Sequence, residues 1–242
     1  PQILHRAMRI AVAKRGVAVL VIPGDIATQR LHAEPPPWLL PTAPAILPPP
    51  ADVAQLATIL NESERVALFC GAGCASAHAQ VIELARTLQA PIVHTLRGKE
   101  HIEYDNPYDV GMTGLVGFAS GYKAMKRCDT LVVLGADFPY RQFFPEHARI
   151  VQIDVRPEAL GNRCPLTLGL LGGVRETLTA LLPLLEAKTD DSFLASARHD
   201  YIAARKDLDH LAALDDGTRH IHPQAVTRIV SAHRAAAIQA AD

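Results

Sequence analysis

Short apolar runs separated by amphipathic stretches set the pattern of this chain. Ile3, Ala7, Ile10, Ala11 and Val12 fall near helical spacing, and Lys14-Arg15 before Gly16 has the makeup of a helix end. Val17 to Ile22 is apolar and rich in β-branched residues, which predicts a strand buried on both faces, closed by Pro23-Gly24-Asp25. From Leu31 to Pro50 the sequence is proline-rich, with PPP at 35 to 37 and again at 48 to 50, the composition of an extended connector. Beyond it the pattern becomes regular. A helix is predicted over Ala51 to Leu60, a strand over Val66 to Cys70, and a helix from about Ser76 to Leu88 with Val81, Leu84, Ala85 and Leu88 on one stripe.

Further strands are expected at Pro91 to His94, Thr130 to Leu134, Arg149 to Ile153 and Leu166 to Leu170. Helices at Ala119 to Cys128 and Val174 to Leu185 and a short turn near Pro157 separate most of them. Short apolar strands alternating with helices predict an α/β, Rossmann-like three-layer domain with a parallel sheet of five to six strands, whose ligand edge lies at the carboxyl ends of the strands. A charged helical stretch follows over Ser192 to Leu214. His222-Pro223 opens another helix, and AAAIQAAD at the end has the look of a strand cut short. The division this implies is 1–24 as the end of a preceding domain, 25–50 as linker, 51–187 as the central domain, 188–220 as a helical connector and 221–242 as the opening of a further domain.

One stretch does not follow the alternation. Val93 to Phe118, VHTLRGKEHIEYDNPYDVGMTGLVGF, gives about twenty residues of predicted loop, where ordinary connections run to about 4–6. Its apolar anchors, from Ile102 to Phe118, argue for an ordered loop laid over something rather than a solvated linker.

Composition narrows the class. Of 242 residues 49% are hydrophobic and 20% charged, and the net charge of -1 gives no broad electrostatic reason to bind nucleic acid or acidic lipid. The cysteines (Cys70, Cys74, Cys128, Cys164) lack paired C-x-x-C spacing, so free thiols in a reducing cytosol are expected. No apolar run reaches the ~18 residues of a membrane helix. A cytoplasmic protein is the expectation.

Three features at predicted strand ends can carry chemistry. Gly71-Ala72-Gly73, between strand and helix, is either a close-approach turn for a phosphate or a plain tight turn. It lacks the third glycine of G-x-G-x-x-G, because Ser76 stands there. Gly135-Ala136-Asp137-Phe138-Pro139-Tyr140 is either an aromatic wall for a planar ring or a loop that tucks its aromatics into the core. Asp154 can accept from a ribose diol, cap the turn at Pro157, or both. Weaker candidates fall away. Cys70, Cys74 and His78 suggest a metal, but Cys70 ends a buried strand; Glu100 and His101 form no H-E-x-x-H; Ser120 has no G-x-S-x-G. Arg97, Lys99, Glu100 and Glu103 have the mixed charge of a solvated network, from which Arg97 is kept as a phosphate or flavin neighbour.

The run HTLRGKEHIEYDNPYDVGMTGLVGF, with GAGCASAH before it and FPYRQFFP and IVQIDVRPEALG after it, resembles the central domain of bacterial pyruvate oxidase, also called pyruvate dehydrogenase (quinone). The resemblance implies FAD held by this segment, with thiamine diphosphate and Mg2+ bound elsewhere in an enzyme that converts pyruvate to acetate and CO2 and passes electrons to a quinone. It further implies a tetramer, peripheral contact of the parent with the inner membrane, and no activity from this segment alone. The flavin contacts it implies are Gly71 and Gly73; Thr95, Leu96 and Arg97; Thr113, Gly114, Leu115 and Val116; Ala136, Asp137, Phe138, Pro139 and Tyr140; and Asp154 and Val155 at the adenosine end. Catalytic and metal residues are expected outside the chain. Where the family has Gly-Asp before the last helix, this sequence has Gly172-Gly173, one carboxylate fewer on the adenine side.

Two other classes compete. Acetolactate synthase, whose FAD is largely structural, is similar at greater distance, and a middle domain with a purely structural role belongs with it. Gly71-Ala72-Gly73 also resembles the opening of the sirtuin nucleotide site, but no G-I-P-D-F-R and no paired-cysteine zinc module follow.

Overall fold

The computed structural model describes residues 2–14, 16–30, 37, 44–213 and 221–232. It divides into two compact units, Pro1–Ala45 and Ile46–Asp242. In the first, α1 (Gln2–Lys14) and the one-turn α2 (Gly24–Ala27) have no buried residues. The strand expected at Val17 to Ile22 is not formed. The segment has no regular secondary structure and Val17 is 93% exposed. Among the described residues nothing offers it a hydrogen-bonding neighbour, and an apolar run becomes a strand only by pairing. Most of the proline-rich connector and the whole of AAAIQAAD lie outside the described residues.

The second unit contains the expected doubly wound domain. Its elements are α3 (Pro50–Glu62), β1 (Val66–Cys70), α4 (His78–Leu88), β2 (Ile92–His94), α5 (Lys99–Ile102), β3 (Asp109–Met112), α6 (Ala119–Arg127), β4 (Thr130–Leu134), β5 (Arg149–Asp154), β6 (Leu168–Leu171), α7 (Val174–Leu181), α8 (Ser192–Leu211) and α9 (Pro223–Ala232). Six parallel strands run in the order β3-β2-β1-β4-β5-β6. The order reverses between β1 and β4, and a ligand crevice opens at such a point in sheets of this kind.

Burial explains why β1 and β4 are apolar without interruption. Leu68 and Cys70 of β1 point into the core under α3, α4 and α7, whereas Ala67 and Phe69 point into the core under α6 and α8. Val132 and Leu134 repeat the first pattern, Leu131 and Val133 the second. Alternation therefore persists in direction but not in polarity, because both faces are covered. Pro50 opens α3 at a first-turn position where a missing N–H loses no bond. Pro183 lies in the 3-10 turn Leu182–Leu184 that replaces the last turn of the helix expected to reach Leu185.

The expected twenty-residue loop is the main correction. Between Val93 and Phe118 the chain forms a 3-10 turn at Leu96–Gly98, then α5, then β3. β3 pairs with β2 through a register shift between Ile92 and His94 and is covered by α6 and α8. Its sequence, Asp-Val-Gly-Met, has two residue types depleted in strands; tertiary pairing makes the strand.

Candidate functional site

Just past the sheet, each strand end is bonded sideways to its neighbour. The amide of Thr113 donates to His94 O (3.0 Å), Thr95 to Cys70 O (2.9 Å), Gly71 to Leu134 O (2.9 Å), Gly135 to Ile153 O (2.9 Å) and Gly172 to Asp154 O (3.0 Å). The ladder therefore runs one step beyond the strands and fixes a continuous rim from β3 to β6. The amides of these five residues are taken up in it.

The first turn shows why. Gly73 N donates to Gly135 O (3.0 Å), so the amides of Gly71 and Gly73 are both occupied. A Cβ on Gly71 would overlap Gly135 O, and one on Gly73 would lie 2.6 Å from Gly135 Cα. Gly135 itself has φ +56, where side chains are strained, and its Cβ would sit 2.5 Å from Gly73 Cα. The glycines let the β1 and β4 turns cross in contact at the switch point. Of the two readings of this turn, the close approach shown is between backbones.

Along β2, Thr95 Oγ1 accepts from Gly98 N (3.0 Å) and closes the next turn, leaving Leu96 and Arg97 exposed. Past β3, Thr113 is buried and its Oγ1 has no hydrogen-bond partner among the described residues. Gly114 (φ +131) begins a tight turn, closed by Gly117 N to Gly114 O (3.1 Å), that holds Leu115 and Val116 out at 72% and 80% exposure. The ring of Phe138 would lie 3.5 Å from a Cβ on Gly114.

Past β4, Ala136 and Phe138 are buried, Asp137 and Pro139 exposed, and Tyr140 half-buried. Phe138 meets Phe69 (5.1 Å), Tyr140 (5.1 Å) and Phe143 (5.6 Å) edge to face, so its ring is chiefly core. Asp137 pairs with Arg163 (2.7 Å) and Arg156 (3.7 Å). Asp154, 4% exposed, accepts the Arg156 amide at Oδ1 (2.9 Å) and the Arg156 Nε (3.4 Å), with Val155 exposed beside it; the turn Pro157–Ala159 starts from Arg156 and takes no side-chain cap bond, so the expected cap is not formed there.

The sixteen expected positions thus fall on one rim, from the end of β3 to the end of β5. Two groups there have no signal in the sequence pattern. Fully buried His94 lies 3.3 Å from Asp109 Oδ1 and 3.5 Å from Glu103 Oε2, beneath the Thr95 turn. Nearby, burial and then Asp109 raise the Tyr201 phenol to about 12. Both depend on the unforeseen β3. The second is Glu176, at the turn after β6.

Elsewhere, Cys70 and Cys74 are buried free thiols, and burial followed by Cys74 holds the Cys70 thiol well above its ordinary range. Among the described residues no group of three or more His, Cys, Asp or Glu side chains could hold a metal ion, and no helix is long and apolar enough to cross a membrane. A cavity of about 450 Å³ lies at the amino ends of the strands, lined by Arg65, Lys126, Arg127, Asp129, Glu146 and His147. Lys126, Arg127 and Asp129 are committed there to Phe144 O, Asp200 and the amides at 64 and 65. The rim, not this cavity, has the topology of a ligand edge.

A parallel sheet in this order, wound on both faces, defines a Rossmann-like α/β/α domain. Residues 53–181 match the model of the thiamine pyrophosphate enzyme central domain, and the chain belongs to that family. It is 54% identical over 213 residues to an uncharacterized 42.6 kDa protein of Pseudomonas amyloderamosa, covering 87% of this chain and 54% of that one. It is 32% identical over 199 residues to the putative thiamine pyrophosphate-containing protein YdaP of Bacillus subtilis, covering 80% of this chain and 34% of the relative. To the acetolactate synthase isozyme 1 large subunit of Escherichia coli it is 31% identical over 195 residues, with 78% and 34% covered. The chain thus spans about half of the first relative and about a third of the others. The narrower resemblance to pyruvate oxidase resolves, at this level, to the thiamine enzyme family as a whole.

Proposed function

We propose that this chain is the FAD-holding middle domain of an acetolactate-synthase-like, thiamine diphosphate-dependent enzyme acting on a 2-oxo acid, and that the flavin nucleotide has chiefly a structural role. The observation that carries it is the rim's apolar exposure. Leu96, Leu115, Val116, Val155 and Leu171 are each 40% or more exposed and all lie just past or at the carboxyl ends of strands. They leave an apolar edge that a large planar ligand would cover. Thr113 Oγ1, buried without a partner among the described residues, supports a polar ligand group at the same edge. The residues therefore fit FAD.

Leu115, Val116 and Leu96 would pack on the ring system. Arg97, exposed and in no ion pair among the described residues, would meet the diphosphate, and Asp154 the ribose diol. When bound, FAD supplies a redox-active ring. This chain's residues orient it, exclude water from one side and fix its adenosine end. Thiamine diphosphate and Mg2+ would be held by other parts of the enzyme.

Titrating the 242-residue chain with FAD tests this directly. Saturable quenching of flavin fluorescence with a rise in melting temperature is expected, and neither effect at 100 μM FAD would refute it. A second proposal, pyruvate oxidase with electron transfer through flavin to a quinone, is favoured by the run HTLRGKEHIEYDNPYDVGMTGLVGF. Bleaching of the flavin by pyruvate in the complete enzyme is its expected result; unbleached flavin with carbon–carbon bond formation would decide for the synthase.

A further inference from the structure

One edge of the sheet is held from outside it. β3 is the terminal strand, four residues long, and three of its carbonyls are taken by groups that no strand supplies. Asp109 O accepts from Arg198 Nη1 of α8 (2.5 Å), Val110 O from Ser120 Oγ of α6 (2.8 Å), and Met112 O from the amide of Phe118 at the start of α6 (2.7 Å). A short edge strand covered in this way depends on its cover for its place.

The last of these bonds closes a loop. Residues 113–117 leave β3 at Met112 and return to it at Phe118, and a Cβ on Gly117 would lie 2.5 Å from Met112 O, so the two stems touch. Tyr201 of α8 reaches both stems. Its ring meets Phe118 edge to face (5.3 Å), and a Cβ on Gly111 would lie 2.9 Å from Tyr201 Cε2 and 2.8 Å from Phe118 Cδ2. Arg198 lies over the Tyr201 ring at 5.8 Å, so the residue that bonds β3 also braces the ring that packs on it. α8 is in turn pinned to α6, through Asp200 to Lys123 (3.5 Å) and to Arg127 (3.3 Å).

We infer that Tyr201 and Arg198 are positioning residues for the loop 113–117: from a helix outside the sheet they clamp both of its stems, and so set where Thr113, Leu115 and Val116 stand at the ligand edge. The bearing on binding rests on the proposal that the rim holds FAD. The clamp itself is a property of the ligand-free chain and is measured without nucleotide. A loop with free stems samples more positions, and a ligand that needs one of them binds more weakly in proportion to the fraction lost.

The test is amide hydrogen exchange of the ligand-free 242-residue chain, followed by fluorescence titration with FAD. Exchange is read at the loop amides of Thr113, Gly117 and Phe118, and at those of Gly71 and Gly135, where the β1 and β4 turns cross. Tyr201→Ala should speed the loop amides by about tenfold and leave the other two unchanged. Tyr201→Phe, which keeps the ring, should leave all of them close to wild type. Arg198→Ala should speed the loop amides by about threefold, and Arg198→Lys, which keeps a donor for Asp109 O, should restore them. FAD affinity should fall by about the same factors in the two alanine variants and recover in the two conservative ones. Equal acceleration at all these amides, or none at the loop, would make α8 a general support and overturn the inference. A loosened loop with undiminished FAD affinity would also overturn it and spare the FAD proposal. If wild type binds no FAD, that proposal falls, and the exchange rates alone decide the clamp.

Discussion

Thr113→Val separates a residue kept for a ligand from one kept for packing. Thr113 is 3% exposed at the end of β3, and its hydroxyl has no partner among the described residues. A hydroxyl buried without a hydrogen bond costs about 1–3 kcal/mol. Valine keeps the branched shape and removes the penalty, so the ligand-free variant should be more stable by about 1 kcal/mol at the low end of that range. For a domain of this size that is a rise of about 2–4 °C in melting temperature, or about 0.3–0.5 M in urea midpoint at a slope of about 2–3 kcal/mol/M.

If the hydroxyl serves the flavin nucleotide, affinity moves the other way. Losing one hydrogen bond of about 0.5–1.5 kcal/mol weakens FAD by about two- to twelvefold. Urea melts followed by circular dichroism and flavin fluorescence titrations on the same two proteins give both quantities. A variant no more stable than wild type would show that the hydroxyl already has a partner. A more stable variant with unchanged affinity would show that the rim does not use it.

Other outcomes follow from the same geometry. Gly135→Ala combines a left-handed φ with a Cβ 2.5 Å from Gly73 Cα, and should lower stability by about 2–4 kcal/mol in urea; an unchanged midpoint would mean the two turns are not in contact. Gly73→Val meets Gly135 Cα at 2.6 Å, so fold and flavin binding should fail together; full secondary structure without flavin would contradict this. Burial raises Cys128 and Tyr201 to about 12. A folded-state pKa above the unfolded one, ~8.5 for Cys and ~10 for Tyr, keeps the proton on the folded chain. Stability is thus full below those values and falls as pH rises toward 12. Tyr201→Phe should remove the part of that loss between about pH 10 and 12, on the order of 1 kcal/mol after solvent screening, and an unaltered alkaline limb would refute it.

What was legible in the sequence is what local pattern determines. Val66–Cys70 and Thr130–Leu134 are strands because both faces are buried, which writes itself as an unbroken apolar run. β3 is illegible because its cause lies elsewhere: Gly111 at φ +92 is seated under Phe118 and Tyr201, whose rings would lie 2.8 and 2.9 Å from a Cβ there. Val17–Ile22 fails in the opposite direction, a strand-like run with no neighbour to pair with among the described residues. At the site, sequence located the G-A-G turn but not its reason, since the partner that demands glycine is sixty residues away at Gly135. Phe138 was open between wall and core, and Phe69 settles it toward core. Glu176 gave no signal because its carboxylate reaches the β6 turn only through the space left by Gly173.

A rim whose strands are bonded to one another past their ends is held before any ligand arrives, and that bears on what a nucleotide does for this domain. The lateral bonds from Thr113 to Gly172 hold the strand ends without a ligand, so the sheet is expected to fold in its absence. What a ligand adds is cover for Leu96, Leu115, Val116, Val155 and Leu171, and that gain appears as linkage. With FAD at about 100 times its dissociation constant the folded state gains about 2.7 kcal/mol, which at about 2–4 °C per kcal/mol raises the melting temperature by about 5–11 °C. FMN lacks the adenosine that Asp154 would hold, so at equal concentration it should give a smaller shift. Scanning calorimetry of the 242-residue chain with each nucleotide measures both. Equal shifts from FMN and FAD would show that the strand ends from β4 to β6 contribute nothing, and would confine the ligand edge to β2 and β3.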